Sequence, residues 1–589
     1  MKASKNGILQ FGVFAAIALI FYVIFSHADF GYDFYWAVLY EENPTYHEIF
    51  GMWLLRGLVL TLEISLISTA IALVLGTIFG IARLSQFKPV YYLATGYVEF
   101  FRNTPLLVQL FFWYFALPMG LPEPVRMFLN EHNLEFWAAS GGLGVYTGAF
   151  VAEIVRAGIQ AIPHGHLEAS FSSGLSNLQT LRYVILPQAF RVIIPPLGSE
   201  FLNNMKNSSL AMTIGVAELC WQSQQIESFT FRGFEATSAA SLIYLGLSLG
   251  ISLIMNTVNH HLKIGQEKSL TMLDRVFEFA FYPVLLIVKV LSFCVNWGIS
   301  KIRGKQPYVL QDEAVYVSIW IRLFQRVGKL FIFLGKSLFV AMFFGVVILI
   351  GYALWSFNWD VILGNLRSLL IWTFPKGGQG EIFFGMGGLS LSIAIAAIAL
   401  FVSFFIGLAF GLGRLGKNPI ISTVSVLYIE IIRGNPLIMV IFWVYFFSPI
   451  ITGMQINVFW SATIAFTVFS GAYLAEIVRA GVSAIPYGQF EAATASGLSY
   501  YQTMRKVVLP QALKIMIPAI VGQFISLFKD TSLAYIIGVF ELTTVAQTLN
   551  NRLMIYPFEI YTTIAVLYFI CCYSMSIVAR RLEMKYTQG

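Results

Sequence analysis

Two pairs of opposite charges lie inside long apolar stretches, where they could bind a polar solute or neutralise each other. Glu99 and Arg102 stand three residues apart in one stretch, and Glu430 and Arg433 repeat that spacing in another. Charges at membrane depth cost free energy, so they mark candidate functional sites. A Glu–Arg pair at this spacing can also satisfy itself on one helix face. The sequence leaves both interpretations open for these four residues.

A second set of polar residues falls deep in two other apolar stretches. Lipid offers such side chains no hydrogen bonds, so they should face a cavity or another helix. The two stretches align, but Glu200 is matched by Gln523 and Asn207 by Asp530. An asymmetric solute bound between unlike walls would suit these differences. The candidates for lining a path are Glu200, Lys206, Asn207, Ser208, Gln523, Lys529, Asp530 and Thr531.

Motifs for catalysis and for metal binding are incomplete. The stretch from Gly411 to Lys417 resembles a phosphate-binding loop, but Asn418 stands where Ser or Thr is required. His164 and His166 have the spacing of metal ligands without a third ligand nearby in the sequence. We therefore expect no catalytic residue, no metal site and no cofactor in this chain, and we do not predict an enzyme.

The composition explains the apolar stretches that hold these residues. Of the 589 residues, 58% are hydrophobic and 11% charged, whereas about a quarter are charged in a soluble protein. The chain has room for about 12 spans of about 20 residues. Its basic residues cluster at the ends of apolar runs, as in membrane proteins, rather than in the patches of a nucleic-acid binder. We predict an all-α polytopic protein of the lipid bilayer that binds no nucleic acid.

The apolar runs and the charges between them predict the topology. A first span near 8–25 is expected to be retained, with a cleaved signal peptide as the alternative. Residues 276–299 would place basic residues outside if they crossed, so we expect them to lie on the membrane surface. Both termini are predicted to be cytoplasmic. The other predicted spans lie near 57–82, 89–117, 136–162, 192–216 and 238–262, and near 330–356, 387–412, 419–448, 456–485, 511–538 and 558–580.

The chain contains two copies of one sequence pattern. Ala152–Gly158 recurs letter for letter at Ala475–Gly481, an offset of 323 residues. Both copies hold five spans and enter the membrane from the same side, which makes them parallel repeats. The glycine pair Gly76 and Gly80, repeated at 407 and 411, predicts close helix packing in each copy. The predicted parts are an extra helix and outside loop (1–56), a first repeat (57–262), a cytoplasmic or interfacial linker (263–329), another extra helix and loop (330–386) and a second repeat (387–583).

Each half also carries a polar interruption after its fourth span, counting the extra helix as the first. A glutamate starts a short helical segment, a glycine breaks it, and a Leu-Pro pair is expected to end the element. These residues are Glu168, Ala169, Gly174, Leu186 and Pro187 in the first copy, and Glu491, Ala492, Gly497, Leu509 and Pro510 in the second. This pattern resembles the EAA loop of the membrane subunits of type I ATP-binding-cassette (ABC) importers. Two segments, Tyr97–Arg102 and Ala152–Gly158, resemble the polar-amino-acid branch of that family.

The resemblance implies a fold and a function. The chain would be two ABC type I transmembrane domains fused in one permease subunit of a bacterial inner membrane. Its cargo would be polar amino acids, with a weak preference for glutamate, aspartate or glutamine. The two EAA loops would contact two copies of a separate ATPase subunit, which would bind ATP and Mg²⁺, and a periplasmic or tethered binding protein would deliver the amino acid. The alternative is a secondary transporter driven by an ion gradient, which would leave the two EAA loops unexplained.

Overall fold

The computed structural model describes residues 32–262, 337–349, 351–352, 355–373, 386–416, 418–454 and 456–587. These residues form an all-α membrane protein with two repeats, as the sequence predicts. The first half contains helices α1 (Phe50–Ala82), α2 (Lys88–Arg102), α3 (Leu106–Gly120), α4 (Glu123–Glu131), α5 (Leu134–Gln160), α6 (His164–Ser172), α7 (Asn177–Thr180), α8 (Leu186–Asn207), α9 (Leu219–Thr230) and α10 (Gly233–Leu262). A short 3-10 helix, Trp36–Leu39, precedes them.

The helices in the described part of the second half are α11 (Ser337–Leu349), α12 (Trp359–Leu370), α13 (Leu389–Leu415), α14 (Pro419–Gly434), α15 (Leu437–Thr452), α16 (Val458–Ser483), α17 (Tyr487–Ala495), α18 (Tyr500–Thr503), α19 (Leu509–Asp530), α20 (Leu542–Leu553) and α21 (Pro557–Thr587). From α13 onwards, the described part of the second half repeats the helix order of the first half without a counterpart of α4. Two short strands, β1 (Trp372–Thr373) and β2 (Met386–Gly387), pair antiparallel just before α13.

Seven of the described helices are long and apolar enough to cross a membrane, and the bent pair α14–α15 would make an eighth. The predicted span near 8–25, the linker 263–329 and the interfacial segment 276–299 lie outside the described residues. The predicted span at 330–356 is described only in part, as α11 and a few residues after it.

The structure corrects the single spans predicted at 89–117 and 419–448. Each is two helices, α2 then α3 and α14 then α15, and the second pair bends by 110°. Pro105 and Pro436 stand at the breaks with extended backbone, at ψ of 140° and 146°. Proline disfavours helical backbone in the residue before it, so the polar residues ahead of each proline end the first helix. Each half therefore places a helix end inside the membrane region.

The glycine pairs bring the first and third long helices of each half into close contact, as the sequence predicts. A Cβ added at Gly76 would lie 2.4 Å from the Val151 side chain of α5. At the equivalent Gly407, it would lie 2.5 Å from Leu474 of α16. Only glycine permits such an approach of two helix backbones. These pairs make α1–α5 and α13–α16 the rigid centre of each half.

The two halves share one core, and the buried residues of each smaller cluster belong to a single half. The largest buried cluster contains residues of both halves, among them Phe111 of α3 and Tyr561 of α21, whose rings lie 5.6 Å apart. Near the EAA loops the clusters are smaller and belong to single halves, such as Ile162 with Ile193 in the first and Val508 with Met516 in the second. Among the described residues, the two halves thus pack together in one large cluster and not around the EAA segments.

Candidate functional site

A polar cavity of about 210 Å³ lies between the two halves, beneath their shared core. Helix α8 of the first half and helix α19 of the second half form facing walls. Six of the residues predicted to line a path lie on these walls, three from each half: Glu200, Lys206 and Asn207, and Gln523, Lys529 and Asp530. The cavity thus brings together carboxylates, ammonium groups and amides from positions more than three hundred residues apart.

Two of the predicted residues turn away from this cavity. The hydroxyl of Ser208 donates to the Met205 carbonyl at 2.6 Å, and that of Thr531 donates to the Phe528 carbonyl at 2.7 Å. Both side chains are fully buried within their own helix turn. They therefore satisfy themselves locally, at the point where the α-helix tightens into the 3-10 segments Ser208–Ile214 and Thr531–Ile537.

The two buried lysines cross from one half to the other. Lys206 Nζ donates to the Arg433 carbonyl at 3.0 Å, and Lys529 Nζ donates to the Arg102 carbonyl at 2.9 Å. These carbonyls lie at the ends of α14 and α2, where helix carbonyls lack partners and the helix dipole is negative. A cation is well placed there. Each half therefore supplies the cap for the broken helix of the other.

The Glu–Arg pairs of these broken helices do not pair as expected from their spacing. Glu99 instead approaches Arg83 at 3.7 Å, and Glu430 approaches Arg414 at 3.2 Å. The Arg102 guanidinium lies 5.3 Å from the centre of the Phe150 ring, a cation–π geometry that Arg433 repeats. The cavity wall contains the aromatic rings rather than these charges. The backbone carbonyls of both arginines, and not their side chains, reach the buried lysines.

Aromatic residues complete the cavity, and sequence reasoning missed them. Tyr146 and Phe150 of α5 and Phe469 and Tyr473 of α16 line its sides. The ring of Phe150 lies 5.7 Å from Lys529 Nζ, and the Tyr473 hydroxyl accepts from Lys206 at 3.4 Å. Each pair is spaced by one helix turn and recurs at the repeat offset of 323 residues. That recurrence was the available signal, but apolar spans are too rich in aromatic residues for it to stand out.

Two fully buried carboxylates were also missed, and they support the outer end of the cavity. Glu218 caps helix α9, accepting from the backbone nitrogens of Cys220 and Trp221 at 3.0 and 2.9 Å and from the Tyr244 hydroxyl at 2.7 Å. Glu541 caps α20 in the same way, with Tyr568 in place of Tyr244. A carboxylate at a helix N-terminus is favourable. These groups fix the short helices that follow the 3-10 segments of the cavity wall.

The two segments predicted to be EAA loops adopt the same backbone. Helices α6 and α17 each end before a glycine in left-handed conformation, with φ of 79° at Gly174 and 78° at Gly497. The following amides bond back to the last helix turn, Leu175 to the Ser170 carbonyl at 3.1 Å and Leu498 to that of Ala493 at 3.2 Å. The exposed members of both loops are Glu168, Ala169, Gly174, Pro187, Glu491, Ala492, Gly497 and Pro510, while Leu186 and Leu509 are partly buried.

The Leu-Pro pairs start a helix rather than end one, contrary to the sequence prediction. Pro187 is in the first turn of α8 and Pro510 in that of α19. A π-helical turn, Leu181–Ile185 or Met504–Val508, joins each to the short helix before it. A π turn shifts the hydrogen-bond ladder and so accommodates the proline, which has no N–H to donate. The helix runs on from the EAA segment to the cavity wall.

Comparisons with known proteins agree with this architecture. The family described as "binding-protein-dependent transport system inner membrane component" matches residues 72–264 and again residues 403–588. The glutamate/aspartate import permease protein GltJ of Escherichia coli K12 is 36% identical over 236 residues, which are 39% of this chain and 96% of GltJ. The probable glutamine ABC transporter permease protein GlnP of Bacillus subtilis 168 is 43% identical over 211 residues, 36% of this chain and 96% of GlnP.

A solved structure shows a weaker likeness. It is the crystal structure of an amino acid ABC transporter with histidines, which is 34% identical to this chain in sequence. The match covers 36% of this chain and 94% of the chain in that structure, with a TM-score of 0.33. A score this low supports no structural argument. The sequence relatives are each about as long as one half of this chain.

Proposed function

The chain belongs to the family of binding-protein-dependent transport system inner membrane components, and from that premise we propose that it is the fused permease subunit of an ABC importer for polar amino acids. The single observation that carries the proposal is the cavity between the halves. It contains two ammonium groups, Lys206 and Lys529, and two carboxylates, Glu200 and Asp530. These are the groups that an amino acid's own carboxylate and ammonium would require in a low-dielectric site.

The cargo is a polar amino acid, and we favour glutamate, aspartate or glutamine. Relatives named for glutamate/aspartate and for glutamine import each match about one half of the chain. The residues proposed to line the path are the six on the cavity walls. Glu99, Arg102, Glu430 and Arg433 act from behind those walls, through the helix ends that they occupy.

Energy for transport comes from separate subunits in this proposal. Two copies of an ATPase subunit bind ATP and Mg²⁺ and dock on the two EAA loops, whose exposed surfaces and matching backbones support that role. A periplasmic or tethered binding protein delivers the amino acid to the outer side. The chain itself carries out no catalysis and holds no cofactor.

The coupling follows from the continuity of each EAA segment with a cavity wall. We propose that the halves join at the outer side and diverge towards the cytoplasm, which the single-half clusters near the EAA loops support. Closure of the nucleotide-bound ATPase dimer would bring the two EAA loops together. Because α8 and α19 continue from these loops, the movement would open the cavity outwards, and hydrolysis would return it inwards. We also propose that both termini are cytoplasmic and retain the five-part division of the chain with repeats at 57–262 and 387–583.

Purification and uptake together test this function. Native mass spectrometry of the complex, isolated gently through this chain in native-like lipid, should show two ATPase copies per permease chain. Reconstituted with the binding protein, the complex should take up labelled glutamate, aspartate or glutamine only with ATP. A chain that purifies alone, with uptake that follows an ion gradient and ignores ATP, would instead identify a secondary transporter and refute the proposal.

A further inference from the structure

The two walls of the cavity differ in a regular way. Glu200 on α8 is matched by Gln523 on α19, and Asn207 on α8 is matched by Asp530 on α19. Each wall therefore holds one carboxylate and one amide, but in opposite order along the helix. The two positions are seven residues apart, which is two helix turns or about 10 Å. One carboxylate lies nearer the cytoplasm on the first wall, and the other lies nearer the outside on the second wall.

The hydroxyls of the aromatic walls are exchanged in the same manner. Tyr146 of the first half is matched by Phe469 of the second, whereas Phe150 is matched by Tyr473. Each half thus has one tyrosine and one phenylalanine, again in opposite order. The buried lysines, in contrast, are the same in both halves. The polar pattern of the cavity is therefore diagonal, although the helices that carry it are repeated.

A diagonal pattern has a consequence for an amino acid bound inside. A cavity with identical walls would offer two equivalent orientations related by the repeat axis. Unlike walls remove that equivalence, because the ligand's ammonium group meets a carboxylate in one orientation and an amide in the other. Charge-assisted hydrogen bonds are about twice as strong as neutral ones. The diagonal carboxylates thus select one orientation.

The positions of the lysines indicate which end of the ligand lies at which level. Lys529 neighbours Asp530 in the chain, and Lys206 lies at the equivalent depth on the other wall. Among the described residues, Lys529 Nζ has one hydrogen bond, to the Arg102 carbonyl, and so retains N–H groups for a ligand. The α-carboxylate and α-ammonium group of an amino acid are close together. Lys529 and Asp530, which are consecutive residues, offer them an ammonium group and a carboxylate.

We infer that Asp530 and the two lysines hold the α-groups of a single amino acid, while its side chain points inward to Glu200 and Gln523 and is selected for a hydrogen-bond donor at its end. A side-chain amide fits this inner pair, because Glu200 accepts from its NH₂ and Gln523 donates to its carbonyl. A side-chain carboxylate would meet Glu200 at like charge. The inference rests on the proposed function and narrows its cargo to glutamine-like amino acids.

Exchange of residues between the walls tests the inference. Two partial exchanges, E200Q/Q523E and N207D/D530N, keep every group but put both carboxylates on one wall. The complete exchange E200Q/Q523E/N207D/D530N restores one carboxylate and one amide on each wall, with the pattern turned about the repeat axis. A control exchange, V74F/F405V, makes the same kind of change at equivalent exposed positions of α1 and α13, outside the cavity. Each variant is assayed as the whole complex with the same binding protein, and uptake is normalised to the amount of folded complex.

Labelled glutamine and glutamate are the probes. Wild-type complex should take up glutamine faster than glutamate, and the control exchange should match it. Each partial exchange should lower glutamine uptake about tenfold, the scale of one misplaced charged hydrogen bond. The complete exchange should return to within about threefold of wild type, since a ligand turned about the repeat axis meets the same two carboxylates and two amides. Glu200→Gln alone should lower the ratio of glutamine to glutamate uptake.

Several outcomes would refute the inference and leave the proposed function intact. One is ATP-dependent wild-type uptake of glutamate without glutamine. Another is equal uptake by the partial and complete exchanges. Uptake would then depend on the number of charges or on the surroundings of each charge, and not on their distribution between the walls. Failure of the wild-type complex to take up any amino acid with ATP would instead refute the proposed function.

Discussion

The two EAA loops are alike in detail, whereas the two walls of the cavity differ in charge. Gly174 and Gly497 agree in φ within one degree, at 79° and 78°, and the amides after them bond back to the same helix positions. At the cavity, Glu200 is matched by Gln523 and Asn207 by Asp530. A surface that meets the same partner twice is constrained to stay the same in both copies. A surface that meets one asymmetric ligand is free to diverge, and gains specificity by doing so.

The buried lysines belong with the parts that stay the same. Lys206 and Lys529 each cap a helix end of the opposite half, at 3.0 and 2.9 Å from the capped carbonyl. Their role requires a cation at both positions, because both helix breaks occur at equivalent prolines. The cavity thus combines a repeated frame with a diagonal set of ligand-binding groups. The following experiments separate the two, in order of decreasing effect.

Proline at either EAA glycine should abolish transport. Gly174→Pro and Gly497→Pro force φ to about −65° at positions that need a φ of nearly +80°. The helix before the glycine would then lose its end, and the exposed loop would change shape. ATP-dependent uptake should fall to background in both variants, while the amount of inserted protein stays at the wild-type level.

The comparison between these two variants is as informative as the loss itself. Alanine at the same positions serves as the milder control, because a left-handed alanine costs only about 1–2 kcal/mol. Wild-type uptake in either proline variant would refute the proposal that this loop couples the ATPase subunit to the cavity wall. Loss of uptake in only one of them would show that the two loops are not equivalent.

Removal of either buried lysine should weaken both stability and transport. Lys206→Met leaves the Arg433 carbonyl and the Tyr473 hydroxyl without their donor, and Lys529→Met leaves the Arg102 carbonyl without its donor. An unsatisfied buried polar group costs about 1–3 kcal/mol. Thermal unfolding of the purified complex should therefore shift downwards in both variants, and more so for Lys206→Met.

A matched variant separates the two contacts of Lys206. Tyr473→Phe removes only the hydroxyl that Lys206 contacts, so combining it with Lys206→Met should bring the loss close to that of Lys529→Met. Unchanged unfolding temperatures in both single lysine variants would show that the lysines do not join the halves.

The shared core in which the two halves pack together, here called the seam, should be less sensitive to loss of the Phe442 ring than to loss of the equivalent Phe111 ring. Phe111 packs against Tyr535 and Tyr561, with ring centres 5.4 and 5.6 Å away. At the positions equivalent to those tyrosines, the first half has Met212 and Thr237, which offer no rings to the equivalent Phe442.

Phe111→Ala should therefore destabilise the complex more than Phe442→Ala. Both remove a buried ring, at about 3–5 kcal/mol in soluble cores, but only the first also loses the pairs with Tyr535 and Tyr561, worth about 0.5–1.5 kcal/mol each. Thermal unfolding of the two variants in one lipid gives the difference. An equal or larger loss for Phe442→Ala would mean that the aromatic pairs do not hold the seam.

How much the sequence predicts depends on whether a feature is local or depends on contacts between distant residues. The repeat, the glycine that ends the short helix of each EAA segment and the glycine packing pairs depend on residues close together in the chain, and the structure has each of them. Pro105 and Pro436 were visible as polar breaks, but their effect on direction required the three-dimensional fold. The direction of a bend depends on what each half-helix packs against, and that is not encoded locally.

Side-chain partners across the seam were beyond sequence reasoning for the same reason. The spacing of Glu99 and Arg102 suggested a pair on one helix, but Arg83 approaches Glu99 from another part of the chain. The depth of Lys206 predicted a polar partner without identifying it. That partner is the backbone carbonyl of Arg433 in the opposite half. Every residue has such a carbonyl, so the identity of residue 433 could not mark it as the partner.

The smallest predicted effect concerns one difference inside the otherwise matching EAA loops. Ser170 is buried and its hydroxyl lies 3.0 Å from that of Thr180. The second copy has Ala493 at the equivalent place, and the hydroxyl of Thr503 has no partner among the described residues. Ala493→Ser should supply that partner and stabilise the second loop by about 0.5–1.5 kcal/mol.

Hydrogen exchange of the loop amides measures this effect locally, where unfolding of the whole complex would not resolve it. Protection around Thr503 should rise in Ala493→Ser, and protection around Thr180 should fall in the reverse variant Ser170→Ala. If neither loop changes, the two hydroxyls contribute nothing to loop stability. If both change as expected, the hydrogen bond between Ser170 and Thr180 makes the first loop more stable than the second. The two loops would then differ in stability but not in shape, because their backbones already agree.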